Sequence, residues 1–356
     1  MRSLATVLPL VPCVLLTAVS APPGDGERPA FLPEEGRELQ KFFDLVLELE
    51  VQDARVTFDG RDISPSDLQG GYRVLRRAVV TDRQVAVDDG RVTELERHFD
   101  ALSGGARYSS EGPPDEDPEE ESELEDLAVT FFWDEDYEEY YAEFAEEDEG
   151  EDEELLEGLL EDMTLRALLP PPVQEDVEVG DTWEIDPAAL VHVLVPGGDL
   201  KVGDEEDTGV EEAGFFFFTT PELPLELPLW FAALEGEATA ELVQQWDEDG
   251  TEVAVIAVEF ELEAELDADD VLFGQVTANP EVGEALLKLT LTGEGELLWD
   301  VEAGHLRAFE LEAEVEASFS ASWTSRSGVN DYELTLQQEL EGELLVRAGL
   351  GEGDEE

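Results

Sequence analysis

Three histidines and 93 aspartates and glutamates are the side chains of this sequence best equipped to move protons or hold metals. His98, His192 and His305 are widely scattered and lack the spacing that sets two imidazoles on one helix face. No Gly-x-Ser-x-Gly elbow, phosphate-binding glycine loop or dinucleotide fingerprint occurs. Paired carboxylates are the machinery of glycoside hydrolysis. In so acidic a chain, however, the nearness of two acids carries almost no information. Calcium seeks oxygen ligands, and Asp247 to Gly250 and Asp267 to Asp270 are rich in them. Neither run continues to the glutamate that completes a calcium-binding loop. The expectation is a non-enzymatic protein with no catalytic, metal-ligating or cofactor-binding residue, and no cofactor beyond weak, unspecific association of Ca2+ or Mg2+.

The charge balance excludes whole classes of partner. The formal net charge is -74, with only 19 lysines and arginines, and the lysines are Lys41, Lys201 and Lys288 alone. Nucleic acid and anionic membrane surfaces both demand clustered basic side chains, so neither is an expected partner. The arginines gather early, at Arg55, Arg61, Arg73, Arg76, Arg77, Arg83, Arg91, Arg97 and Arg107. They form either a basic binding patch or the internal neutralisation of an acidic fold. Tyr137, Tyr140, Tyr141 and Phe144 stand among acids. Such aromatics cage a cation or a sugar, or they pin a sheet face.

The N-terminus reads as an export signal. Arg2 precedes an apolar stretch broken by Pro9 and Pro12, and Ala18, Ser20 and Ala21 lead into Pro22 and Pro23. Cleavage after Ser20 would remove Cys13, the one cysteine, and leave a chain without disulfides or thiolate metal ligands. The expected product is soluble and periplasmic or extracellular. The expected division is a signal peptide over 1–20, a flexible lead-in over 21–40, one large β-rich domain over 41–348 and an acidic tail over 349–356. Acidic loops are expected within the domain at 111–123, 146–154 and 203–212.

What must position any site is a sheet. From Thr251 to Leu266, Ile256, Val258, Phe260, Leu262 and Ala264 fall on one parity and Glu259, Glu261, Glu263 and Glu265 on the other. That period of two describes a strand with one buried and one solvated face. The pattern returns at Phe43, Leu45, Leu47, Leu49 and Val51, and a change of phase near Ala54 predicts a bulge or a bend. It returns again around Leu289, Leu311 and Leu340. Shorter strands are expected over 72–80, 84–87, 91–99 and 127–133. Leu155, Leu156, Leu159, Leu160 and Met163 have helical spacing, and Asp186 with Pro187 caps a second short helix over 188–194. The predicted class is mainly β (α+β): a large, strongly curved antiparallel sheet or half-barrel of long strands with a few short helices.

The most apolar stretch of the exported part holds Phe215, Phe216, Phe217, Phe218, Leu223, Leu225, Trp230 and Phe231, punctuated by Pro221, Pro224 and Pro228. The prolines argue against a regular helix or a central strand there. The stretch is expected to lie extended across an apolar face or to line an opening, and these residues are the candidate contacts of an apolar ligand.

Long one-sided strands behind an export signal resemble, in outline over residues 42–346, the half-barrel fold of bacterial lipoprotein carriers. The run from Val177 to Trp183, and Trp299-Asp300 followed by Gly304-His305-Leu306, resemble uncharacterised secreted bacterial β proteins. The resemblance implies an apolar concavity able to hold a lipid-like ligand, and it transfers no site residue. Two other readings stand beside it. One is an acidic extracellular or structural protein binding cations or basic partners, and the other is a carboxylate-based hydrolase.

Overall fold

The computed structural model describes residues 28–351 apart from 65–69, 111, 115–116, 118–119, 146–147, 149, 173, 175–176, 203–226, 249, 268–280 and 328–329. The export signal, residues Phe215 to Phe218, Leu223 and Leu225, and most of the acidic tail lie outside them.

Among the described residues, thirteen strands make one antiparallel sheet. They are β1 (Glu38–Phe58), β2 (Arg61–Asp62), β3 (Gly71–Asp88), β4 (Arg91–Ser109), β5 (Glu120–Glu121), β6 (Ala128–Asp134) and β7 (Glu139–Phe144). After a long crossing segment come β8 (Thr182–Glu184), β9 (Glu235–Glu248), β10 (Thr251–Asp267), β11 (Glu281–Asp300), β12 (His305–Ser327) and β13 (Asn330–Leu350). The order is β7-β6-β4-β3-β1-β13-β12-β11-β10-β9-β8, so the last strand pairs with the first long one and β7 and β8 are open edges. The sheet is therefore not a closed barrel. β12, with 23 residues, spans about 75 Å at ~3.3 Å per residue.

Alternation is what makes these strands. Along β12, Leu311, Ala313, Val315, Ala317 and Phe319 are buried while Glu310, Glu312, Glu314 and Glu316 are exposed. β1 repeats this with Phe43 through Val51 inside. Its register then slips between Val51 and Asp53 against β13, so Gln52 is the extra residue and Val56 inherits the inner face. The expected phase change is this bulge. Residues 72–80 and 84–87, expected as two strands, are one strand that runs on through Thr81, Asp82 and Arg83.

Two expectations about helices need correction. Residues 155–163 are not a helix: a single 3-10 turn over Glu153–Leu156 ends at once. Gly158 takes φ +79°, and the chain then pairs with residues 197–199. Leu160 donates to the Gly197 carbonyl and Asp199 to that of Gly158, at 2.9 Å each. The two chains approach so closely that a Cβ on Gly198 would sit 2.2 Å from the Gly158 carbonyl oxygen. The proline-broken stretch, in turn, is not wholly extended. Leu227–Ala232 is a helix, α2. Pro228 is its second residue, a first-turn position where the missing amide hydrogen has no partner to lose. The other expected helix is present as a 3-10 turn over Pro187–Leu190, capped by Asp186, running into α1 (Val191–Leu194).

The apolar face of the sheet, the crossing segment and α2 share a single core. Met163, Leu165 and Leu168 of the crossing segment, and Leu190, Val193 and Leu194 of the turn and helix after β8, are all buried in it.

Candidate functional site

The inner face carries charge where the alternation calls for hydrocarbon. Lys41 continues the inner row of Phe43 and Leu45, Asp82 that of Ala78 and Val80, and Arg97 that of Leu95 and Phe99. All three are at most 4 % exposed. Asp82 lies directly opposite Arg97 on the neighbouring strand. Arg97 grips it with Nε to Oδ1 at 2.7 Å and Nη2 to Oδ2 at 3.0 Å. Lys41 Nζ donates to Oδ2 at 2.7 Å from the other side. Burial alone would raise the Asp82 carboxyl, but the charges of Arg97 and Lys41 and their hydrogen bonds outweigh it and hold it at about 2.

The same cations hold the crossing segment. Arg97 donates to the carbonyls of Leu160 and Glu161 at 3.0 and 2.8 Å, and Lys41 to that of Met163 at 3.3 Å. Arg76, also on the inner face, donates to the Gly198 carbonyl at 2.9 Å. Beside this staple, Arg166 Nε meets Asp162 Oδ2 at 2.7 Å, and Asp162 Oδ1 accepts from the amide and hydroxyl of Thr164. Burial works to raise Asp162, and Arg166 with the Thr164 hydrogen bonds brings it below the usual carboxylate range. A cavity of about 30 Å³ lies between the two groups, lined by Lys41, Asp82, Tyr140, Glu161 and Arg166 among others. That is room for a water or two. With Arg97 counted, three cations face three acids around it, and both buried acids are already committed to cations. Such an arrangement fastens a segment to a sheet rather than offering a free acid or base.

Trp230 and Phe231, the expected ligand contacts that fall within the described residues, lie on α2 and are 1 % exposed. Trp230 differs from the other buried tryptophans. Trp183 donates its indole N–H to the Leu168 carbonyl and Trp299 to that of Ala30, both at 3.2 Å. Among the described residues, the Trp230 N–H has no acceptor, and neither His192 Nδ1 on α1 nor the side-chain amide of Gln338 has a partner.

The outer face is the opposite environment. Glu343 stands between Glu48 and Glu314, Glu341 between Glu50 and Glu316, and Glu294 between Glu259 and Glu312. Glutamates facing each other across strands repel. A few cations relieve them at the margins: Arg347 on Glu310, Lys288 on Glu265, Arg307 on Glu248 and Arg73 on Glu48. A membrane-spanning barrel needs an outward apolar belt, whereas the outward rows across β1, β13 and β12 carry these carboxylates. Among the described residues, no helix is long and apolar enough to cross a membrane. Nor, among them, does any group of three or more His, Cys, Asp and Glu side chains have an arrangement that could hold a metal ion.

The early arginines are largely paired. Arg73 and Arg77 share Asp117, Arg83 meets Glu96 and Arg55 meets Asp62. They neutralise the fold. The aromatics pin the sheet: Phe132 stacks on Tyr141 at 5.4 Å, Trp133 meets Tyr140 edge-on at 5.1 Å, and Arg91 covers Trp133 at 3.9 Å.

No family model matches the chain, and no curated protein does. Among solved structures, an outer membrane channel from Pseudomonas putida F1 aligns at 11 % identity over 92 % of this chain and 100 % of its own, with a TM-score of 0.21. Intact Ap-TbpB, N and C lobes, aligns at 8 % identity over 89 % of this chain and 79 % of its own, with a TM-score of 0.07. Scores this low establish no common fold, and no property is carried over from either.

Proposed function

We propose that this is an exported, non-enzymatic binding protein that works through its outer sheet face, a polyanionic surface for cations or a basic partner chain. One observation carries the reading. Strand pairing holds glutamates in rows across β1, β13 and β12, at the spacing of neighbouring strands, with few cations to offset them. Such a surface attracts mobile or macromolecular positive charge. Titration calorimetry with Ca2+ and with a lysine-rich peptide at low ionic strength tests it. Binding should be saturable, weaken as salt is added, and fall when Glu314, Glu316, Glu341 and Glu343 are changed together to Gln. Equal binding by that variant, or none by the wild type, would dismiss the reading.

A second reading, an interior site for a lipid-like ligand, rests on Trp230. Among the described residues its indole N–H is buried in the core without an acceptor, and a buried donor left unpaired is a cost that a bound molecule can remove. A fluorescent, uncharged long-chain lipid analogue titrated into the full protein should show saturable binding. Its absence would set this reading aside and leave the outer face alone.

A further inference from the structure

Gln338 sits in the middle of β13 on the inner face, between Leu336 and Leu340, and is 2 % exposed. Among the described residues, neither its amide nitrogen nor its amide oxygen has a hydrogen-bond partner. Buried amides are rarely left wholly unpaired, because each orphaned group keeps its full desolvation penalty. Some of the neighbouring positions are small. Ala54 is opposite on β1, just beyond the bulge at Gln52, and Ala317 and Ala321 flank the opposite Phe319 on β12. Bulges re-aim side chains and recur beside binding sites. A glutamine in a row of leucines, without a partner at either end and set between Ala54 and Phe319 on the adjoining strands, has the form of a polar contact awaiting its complement.

The chemistry of that complement is constrained. The amide offers two donors and one acceptor, so a group that both donates and accepts satisfies it, whereas an ionised carboxylate can only accept. Burying a bare charge is costly, and the field of a chain with net charge -74 repels anions. We propose that Gln338 is the polar contact of an interior site for a neutral long-chain molecule whose head group is both donor and acceptor, such as a primary amide or an alcohol. This rests on the interior-binding reading above, and it adds where the head lies and what class of head it is.

The test compares four ligands of equal chain length, a primary amide, an alcohol, a carboxylate and a hydrocarbon, on wild type and Gln338→Leu. Wild type should prefer the amide and alcohol over the hydrocarbon by about tenfold or more. Gln338→Leu should erase that preference while leaving hydrocarbon affinity unchanged or higher. Its ligand-free melting temperature should be equal or raised, since an orphaned amide has been removed. Preference unchanged in the variant overturns the assignment of Gln338 while the interior site survives. Binding of none of the four by wild type overturns both. A variant with a raised melting temperature, beside a wild type without head-group preference, would mean that only a water occupies the place. Gln338→Met, nearly isosteric, repeats the comparison if the leucine variant does not fold, and failure of both to fold would show a structural role and end the proposal.

Discussion

Asp82 is the residue on which the attachment of the crossing segment turns. Its carboxylate neutralises two buried cations, Lys41 and Arg97, which hold three carbonyls of that segment. Removing one partner of a buried ion pair leaves the others charged and unpaired, at a cost of roughly 3–5 kcal/mol. Asp82→Asn should therefore destabilise by about that amount in urea unfolding, and a neutral effect would mean that water reaches the cluster. The pH dependence has a definite sign. The folded carboxyl stands at about 2 against an ordinary 3.8, so its contribution is complete above about pH 4 and vanishes as pH falls through 2. The linked stability is on the order of 2 kcal/mol. Acid titration followed by near-ultraviolet circular dichroism should show this loss in the wild type and not in Asp82→Asn. An identical acid transition in both would place the sensitivity elsewhere.

At the scale of the strand, one-sidedness makes a contrast. Phe260 is 5 % exposed and packs against Gly293 of β11, while Glu261 next to it is exposed and faces Glu237. Phe260→Ala should cost about 3–5 kcal/mol. Glu261→Ala should stay within about 0.5 kcal/mol, as at other surface positions. Similar losses at both sites, read from denaturant midpoints, would contradict the burial of a single face. This alternation was legible in the sequence because each strand states it locally, and so was an irregularity near Ala54, which is the bulge at Gln52. The closing of β13 against β1 was not, since pairing between distant strands leaves no local mark. The helix expected over 155–163 failed because helical spacing of leucines says nothing of the partner chain at Gly197 and Gly198. The buried polar groups had a signal that went unread: Lys41, Asp82 and Arg97 of the cluster, and Gln338 apart from it, each occupy the apolar parity of a strand. Where alternation is otherwise strict, a polar side chain on the wrong parity marks a buried polar contact.

For the whole molecule, the acid surface and the packed core oppose each other. The core favours compactness, whereas rows such as Glu50, Glu341 and Glu316 bring like charges to about 5 Å between Cβ atoms. Exposed charges interact over a Debye length of about 10 Å at 0.1 M salt and farther below it. The melting temperature should therefore rise with sodium chloride. It should rise further with Ca2+ or Mg2+ at equal ionic strength, because one divalent ion can lie between facing carboxylates where screening alone cannot distinguish the cations. Changing Glu314, Glu316, Glu341 and Glu343 to Gln should raise the low-salt melting temperature and flatten the response to all three salts. Thermal denaturation of wild type and variant across these salts separates two physical situations. A wild type equally indifferent to every cation would mean that solvent already relaxes the repulsion. A wild type that answers divalent ions beyond ionic strength would make the carboxylate rows a surface on which cations or a basic chain can settle.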